Sequence, residues 1–259
     1  MNKKTIVANW KTAPNSLAEA EELVNAMDET LATLPEQNIL HIILCPPFVF
    51  IEEVAKMLGS GHLAQSAFLG AQDIAPQDTG ALTGEVSGSM LSKLGVRYVI
   101  VGHSDRRKLG ENDDVVNKKL KTALACKLTP IVCVGEREYD ERFTGFLEHQ
   151  VRATFSGLSA NDIDACLIAY EPVWAISTTP GARPDTPSSA LQSVKIIRDI
   201  LRNELHATRP RFLYGGSVTE HNAGKFLGVP EFGGVLVGGA SVHKEEFVKI
   251  LIDAVHIAR

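Results

Sequence analysis

Eight short apolar runs, the helix-forming stretches between them and a length of 259 residues together predict an α/β fold. The arrangement they imply is a closed (β/α)8 barrel, eight parallel strands with surrounding helices, with an open doubly wound sheet as the alternative. The runs are nearly continuous in apolar residues and do not alternate, as expected of strands buried on both faces of a parallel sheet. No Pro/Gly/Ser-rich linker or low-complexity stretch divides the chain, and barrels reach this length as one unit, so a single domain over residues 1–259 is expected.

Taken in order, the first strand is TIVAN (5–9). SLAEAEELVNAMDETLATL (16–34) follows as a helix, because Ser16 and Glu19 stand at capping-box spacing and its apolar residues share one face. ILHIILC (39–45), AFLGAQ (67–72) and RYVIVG (97–102) are the next three strands. DDVVNKKLKTALACK (113–127) has helical periodicity, and TPIVCVG (129–135) and ACLIAY (165–170) are the fifth and sixth strands. In PSSALQSVKIIRDILRNEL (187–205) Thr186 is the N-cap and Pro187 takes the first helical position, where its fixed φ and missing N–H do no harm. RFLYGG (211–216) and GVLVGG (234–239) complete the eight.

Apolar residues make up 44% of the chain and charged residues 22%, the balance of an ordinary globular protein and not of a disordered or fibrous one. The net charge of −5 has no long like-charge block, which argues against nucleic acid or an anionic membrane as partner. The opening MNKKTIVANWK lacks a leader's apolar segment and cleavage site, and no run approaches the roughly 18 apolar residues of a membrane span, so a cytoplasmic location is expected. Cys45, Cys126, Cys133 and Cys166 show no CxxC spacing and read as reduced packing residues, with no metal site.

In a barrel of this kind chemistry gathers at the C-terminal ends of the strands. The first strand delivers Asn9 and Lys11 there, the fourth His103, the sixth Glu171, and the seventh and eighth two glycine-rich turns. Lys11 is either a solvated lysine or a compact positive charge for a phosphate or enolate oxygen. His103 is either a satisfied structural histidine or, beside a helix opening at Ser104, a neutral imidazole able to donate to a carbonyl. Glu171 follows Leu167-Ile168-Ala169-Tyr170 and precedes Pro172-Val173-Trp174. It is either a capped strand end or a desolvated carboxylate, and desolvation makes a carboxylate a stronger base. YGGSV (214–218) and LVGGASV (236–242) are each ordinary tight turns alone, but together they occupy the place where barrels build a phosphate site from backbone N–H groups.

NWK, GHSDRR, AYEPVWAI, YGGSV and LVGGAS, in this order and at these strand ends, resemble the triosephosphate isomerase family over essentially the whole chain. GAQD…TGALTGEVS (70–87) resembles that family's dimer-forming third loop, and PIVCVGE its fifth strand. The resemblance implies a TIM barrel that interconverts dihydroxyacetone phosphate and D-glyceraldehyde 3-phosphate through an enediolate, in glycolysis and gluconeogenesis. Glu171 would shuttle the proton, neutral His103 would polarise the carbonyl, and Lys11 and Asn9 would stabilise the oxyanion. Backbone N–H groups of Ser177, Ser217, Gly238 and Gly239 would grip the phosphate under a lid formed by Pro172, Val173, Trp174, Ala175, Ile176, Ser177, Thr178 and Thr179. No cofactor or metal is implied. A homodimer is implied, with Thr83 reaching the partner subunit's Asn9 and Lys11.

The sequence departs from the family at three places, one of them Thr12-Ala13, which replace the residues usual after NWK in the first loop. Ser177-Thr178-Thr179 stand where Gly-Thr-Gly is usual, and PGARPD (180–185) lengthens the lid by about three residues. A positive φ at Ser177 or Thr179 would cost on the order of 1 kcal/mol. Asp105 stands where glutamate is common, and its shorter side chain is expected to fall short of Lys11. The alternatives are a related isomerase for a larger ketose phosphate, which the longer lid would admit, and a barrel that binds phosphate without catalysis.

Overall fold

The structure, a computed structural model, describes residues 3–34 and 39–258. Met1 and Asn2 of the stretch read for a leader lie outside the described residues, as do residues 35–38 and Arg259 of the expected domain.

Eight parallel strands close on themselves: β1 (Lys4–Asn9), β2 (Leu40–Cys45), β3 (Ala67–Ala71), β4 (Tyr98–Val101), β5 (Thr129–Val134), β6 (Leu167–Tyr170), β7 (Arg211–Tyr214) and β8 (Phe232–Val237). β8 pairs with β1, Val7 standing beside Leu236, so the sheet has no edge and the open doubly wound arrangement does not occur. Around it lie α1 (Leu17–Thr33), α2 (Ile51–Leu58), α3 (Gly88–Lys93), α4 (Ser104–Lys108), α5 (Asp113–Ala125), α6 (Phe143–Thr154), α7 (Ala160–Asp164), α8 (Pro187–Asn203), α9 (Ala223–Leu227) and α10 (Lys244–Ala258).

The unbroken apolar runs now have a physical cause. Val7, Ile43, Ile100, Ile131, Leu167, Leu213 and Leu236 point into the barrel and fill it with one another. Their neighbours Ile6, Ile42, Leu44, Val99, Val101 and Ile168 point outward beneath the helices. Each fully buried side chain of this size contributes about 1.5–3 kcal/mol, and most strand positions face a dry layer on either side. Cys45, Cys133 and Cys166 are buried and all four cysteines are free. Burial pushes the Cys166 thiol up to about 12, so it behaves as a small apolar filler.

Strand ends differ in detail from the sequence expectation. β7 stops at Tyr214 and β8 at Val237, each two residues earlier than expected, whereas β6 ends at Tyr170 as expected and starts two residues later, at Leu167. Ser16 caps α1 by accepting from Glu19 N–H, but the Glu19 carboxylate accepts from Asn15 N–H, so only half of the expected box forms; Thr186 caps α8 as expected, in a reciprocal box with Ser189. α6 and α9 start without a side-chain cap, whereas α7, five residues long, opens with a capping box between Ser159 and Asp162. Among the described residues no helix is long and apolar enough to cross a membrane.

Candidate active site

At the C-terminal mouth of the barrel Lys11, His103, Glu171, Ser177, Ser217, Gly238 and Gly239 line one cavity of about 160 Å³. They come from five different strand ends and meet only because the sheet is closed.

His103 ends the β4 segment and caps α4. Its Nδ1 accepts from Asp105 N–H at 3.0 Å, so that nitrogen carries no proton. The ring proton therefore sits on Nε2, which donates to Glu171 Oε1 at 3.0 Å. The histidine is a neutral donor, aimed into the cavity.

Glu171 is 4% exposed, and both of its carboxyl oxygens have hydrogen-bond partners. Ser104 N–H donates to Oε2 and Ser104 Oγ–H to Oε1, both at 2.8 Å, in addition to His103. Glu171 N–H donates to Val134 O at 2.8 Å, continuing the ladder beyond the strand. Its main chain lies tight against Gly135, where an added methyl group would stand 2.0 Å from the Glu171 carbonyl oxygen. A side chain of any kind on residue 135 would displace the base.

Lys11 adopts a φ of 55°, a left-handed conformation that costs a lysine on the order of 1 kcal/mol. Its N–H donates to Asn9 Oδ1 at 3.1 Å, and Asn9 is itself buried with its carbonyl accepting from Ser241 Oγ–H. Asn9 thus shapes the turn that presents Lys11 to the cavity. Lys11 Nζ lies 2.9 Å from Asp105 Oδ2. The expectation that Asp105 would fall short is therefore wrong: the bent backbone at Lys11 brings the ammonium to the shorter acid. Burial pushes the Asp105 carboxyl up, but the hydrogen bond and charge of Lys11, with Lys108 nearby, outweigh it and hold the carboxyl below its ordinary value.

α4 is held from behind. Arg107 donates to Gly102 O at 2.8 Å and pairs with Asp113 at 2.6 Å. Arg106 lies 2.7 Å from Glu111 and 3.0 Å from Asp73, and buried Lys119 joins both acids at 2.5–2.6 Å. This fixes the helix that carries His103 and Ser104.

The seventh and eighth turns form the opposite wall. Asn222 donates to Ser217 O and accepts from Thr219 N–H, both at 2.8 Å, which sets the seventh turn. Gly238 leaves room for Lys11: an added methyl group there would meet the lysine stem at 3.2 Å. Thr83 lies elsewhere, exposed in the loop between β3 and α3.

After Glu171 the chain turns through Val173–Ala175. Trp174 Nε1–H donates to Glu136 Oε1 at 2.8 Å, and Tyr170 O–H donates to the same oxygen at 2.7 Å. Burial pushes the Glu136 carboxyl up, the Trp174 and Tyr170 donors opposing it. Ser177 and Thr178 are exposed at the cavity rim, and neither Ser177 nor Thr179 takes a positive φ. The left-handed residue of this segment is Gly181 at 74°, four residues after Ser177 and two after Thr179.

Ser104, Glu136, Tyr170 and Gly135 were not singled out from sequence as site residues. Ser104 sat inside GHSDRR, and Glu136 in PIVCVGE, where a carboxylate at a strand end was the available signal.

A family sequence model described as triosephosphate isomerase matches residues 4–254. A triosephosphate isomerase of Caldanaerobacter subterraneus is 40% identical over 260 residues, covering 97% of this chain and 99% of that protein. One of Roseiflexus castenholzii is 38% identical over 257 residues, covering 97% of each. Among solved structures, the triosephosphate isomerase of Bartonella henselae superposes with a TM-score of 0.81 at 27% identity, covering 97% of this chain and 98% of that one.

Proposed function

The chain belongs to the triosephosphate isomerase family and interconverts dihydroxyacetone phosphate and D-glyceraldehyde 3-phosphate, and from that premise we infer that Glu171, His103, Lys11 and Asn9 carry the chemistry. The observation that supports this most is convergence: one engaged carboxylate, one neutral imidazole donor and one ammonium on a single cavity walled by two glycine-rich turns. Glu171 removes the proton from the carbon beside the substrate carbonyl. His103 Nε2–H donates to the oxygen on which charge develops, and the Lys11 ammonium stabilises that charge. Asn9 supports the turn that holds Lys11. Returning the proton to the neighbouring carbon, with the oxygen protons exchanged through His103, completes the isomerisation without any net addition or loss of atoms.

Ser177, Ser217, Gly238 and Gly239 bind the substrate phosphate through main-chain N–H groups. Residues 172–179 act as a lid that excludes water from the enediolate. Glu171 in its present position is tied to Ser104, so it exchanges those bonds for the substrate when the lid closes. We further read the protein as a single-domain homodimer, supported by the exposed side chains of Phe48, Val49 and Met90, which follow the ends of β2 and β3 as Thr83 does.

The decisive experiment is turnover of D-glyceraldehyde 3-phosphate by wild type and Glu171→Gln. Glutamine keeps the shape and removes the base, so kcat falls at least ~100-fold while inorganic phosphate still binds. Undiminished turnover in the variant removes Glu171 from its role. A wild type faster on a four-carbon ketose phosphate than on the triose would identify the longer lid as a change of substrate.

A further inference from the structure

The segment 180–185 has no part in the chemistry so far, yet it is tied to the lid's first hinge. Thr179 N–H donates to Ile176 O at 2.8 Å and Ala182 N–H to Thr179 O at 3.0 Å, which folds the segment back. Arg183 N–H then donates to Trp174 O at 3.2 Å, so the arginine main chain travels with the hinge. Its guanidinium lies over the Trp174 ring, 5.0 Å from the centroid. The same guanidinium reaches past the lid, Nη2 donating to Tyr139 O at 3.4 Å. Tyr139 belongs to the loop between β5 and α6, and its ring packs on Phe143 at 4.6 Å and faces Trp174 at 5.4 Å.

Trp174 is therefore held by Glu136 at its N–H, by Tyr139 beside its ring and by Arg183 over its face. Arg183 adds a second tie between moving and stationary parts: its main chain is bonded to the hinge and its side chain to the wall. All three contacts coexist with Glu171 engaged by Ser104, the arrangement in which the base is withdrawn.

We propose that Arg183 is a positioning residue that clasps Trp174 to the Tyr139 wall and biases the lid toward its resting state, releasing when phosphate-bearing substrate closes it. The proposal rests on the reading of Glu171 as the base and of 172–179 as the lid. An exposed cation over an indole shifts a two-state equilibrium by roughly two- to fivefold. Losing the clasp therefore favours closure. Substrate binds more tightly, and product leaves more slowly because reopening is opposed.

The test compares wild type, Arg183→Ala and Arg183→Lys by steady-state kinetics and by stopped-flow tryptophan fluorescence on mixing with glycerol 3-phosphate, a three-carbon phosphate without a carbonyl. Of the two tryptophans, Trp10 is buried in the core and supplies a constant background, so the change reports Trp174. For Arg183→Ala, Kd for glycerol 3-phosphate and KM both fall about two- to fivefold, kcat falls by a similar factor and the fluorescence step accelerates. Arg183→Lys is intermediate, because it keeps the charge and lacks the planar fork that reaches Tyr139 O. Unchanged Kd and step rate in Arg183→Ala overturn the proposal, as does weaker binding, which would place Arg183 in the closed state. A wild type that shows the fluorescence step and its Arg183 dependence without isomerising the triose leaves the clasp standing and fails the functional reading instead.

Discussion

Lys11 gathers the site's local costs in one residue. It holds a left-handed φ, it is partly buried, and it faces Asp105 across 2.9 Å. A half-exposed ion pair is worth about 1 kcal/mol or less for stability, so its value here lies in where it puts the ammonium. Replacing Asp105 with Ala leaves Lys11 free to swing into solvent. kcat/KM for D-glyceraldehyde 3-phosphate then falls by about five- to tenfold, while the melting temperature moves little. Asp105→Asn, which keeps the shape and removes the charge, falls between the two. Kinetics of Asp105→Ala indistinguishable from wild type would show that Lys11 is positioned by its own backbone alone.

At the scale of elements, three adjacent strands are linked at the far end of the barrel. His41 on β2 stacks on Phe68 of β3 at 4.2 Å and shares a hydrogen bond of 2.6 Å with the Tyr98 hydroxyl of β4. Arg97 lies over Phe68. Burial, with Lys3, Arg211 and Arg97 nearby, lowers the His41 pKa from 6.5 to about 4. The unfolded chain therefore binds a proton between these values that the folded protein does not. The stabilisation is fully present above about pH 6.5 and is lost as pH falls toward 4. Discounted for screening at a half-buried ring, it amounts to about 1 kcal/mol, or roughly 2–4 °C. Thermal melts of His41→Gln at pH 6.5 and at pH 4 should lose less melting temperature than wild type by that amount. A loss equal to that of wild type would mean that the ring is protonated in the folded protein at little cost.

For the molecule as a whole, assembly has a physical handle. Val49, in the turn that follows β2, is 80% exposed and Met90, on α3, 58% exposed, and Thr83 is exposed in the loop between β3 and α3. Apolar side chains so placed fit a covered face better than a wet one. Sedimentation equilibrium should give twice the chain mass of 28.0 kDa, and Val49→Asp should shift it toward monomer with at least a ~10-fold loss of activity. A monomer with full turnover would sever Thr83 from the partner's site.

Much of this was legible in the chain because both faces of a barrel strand are buried. That forces continuous apolar runs, and a residue such as Glu171 or His103 that breaks a run marks a strand end, hence the barrel mouth. Capping at Ser16 and Thr186 was legible for a similar reason, since those bonds span only three residues. The helix α6 escaped notice because it starts without a side-chain cap and its buried face, Leu147, Gln150, Val151 and Thr154, is only partly apolar.

What the sequence by itself determined was the order of the eight strands and the residue types delivered to their ends, since hydrophobic burial acts on each strand wherever its neighbours lie; the pairing of β8 with β1 that closes the sheet was decided by the tertiary structure. Tertiary structure alone decided how those side chains meet. That Ser104 holds Glu171, that Asp105 reaches Lys11 and that Arg183 spans Trp174 and Tyr139 depend on distances of a few ångströms between groups far apart in the chain. Hydrogen bonds and ion pairs act only over such distances, and no periodicity along a sequence records them.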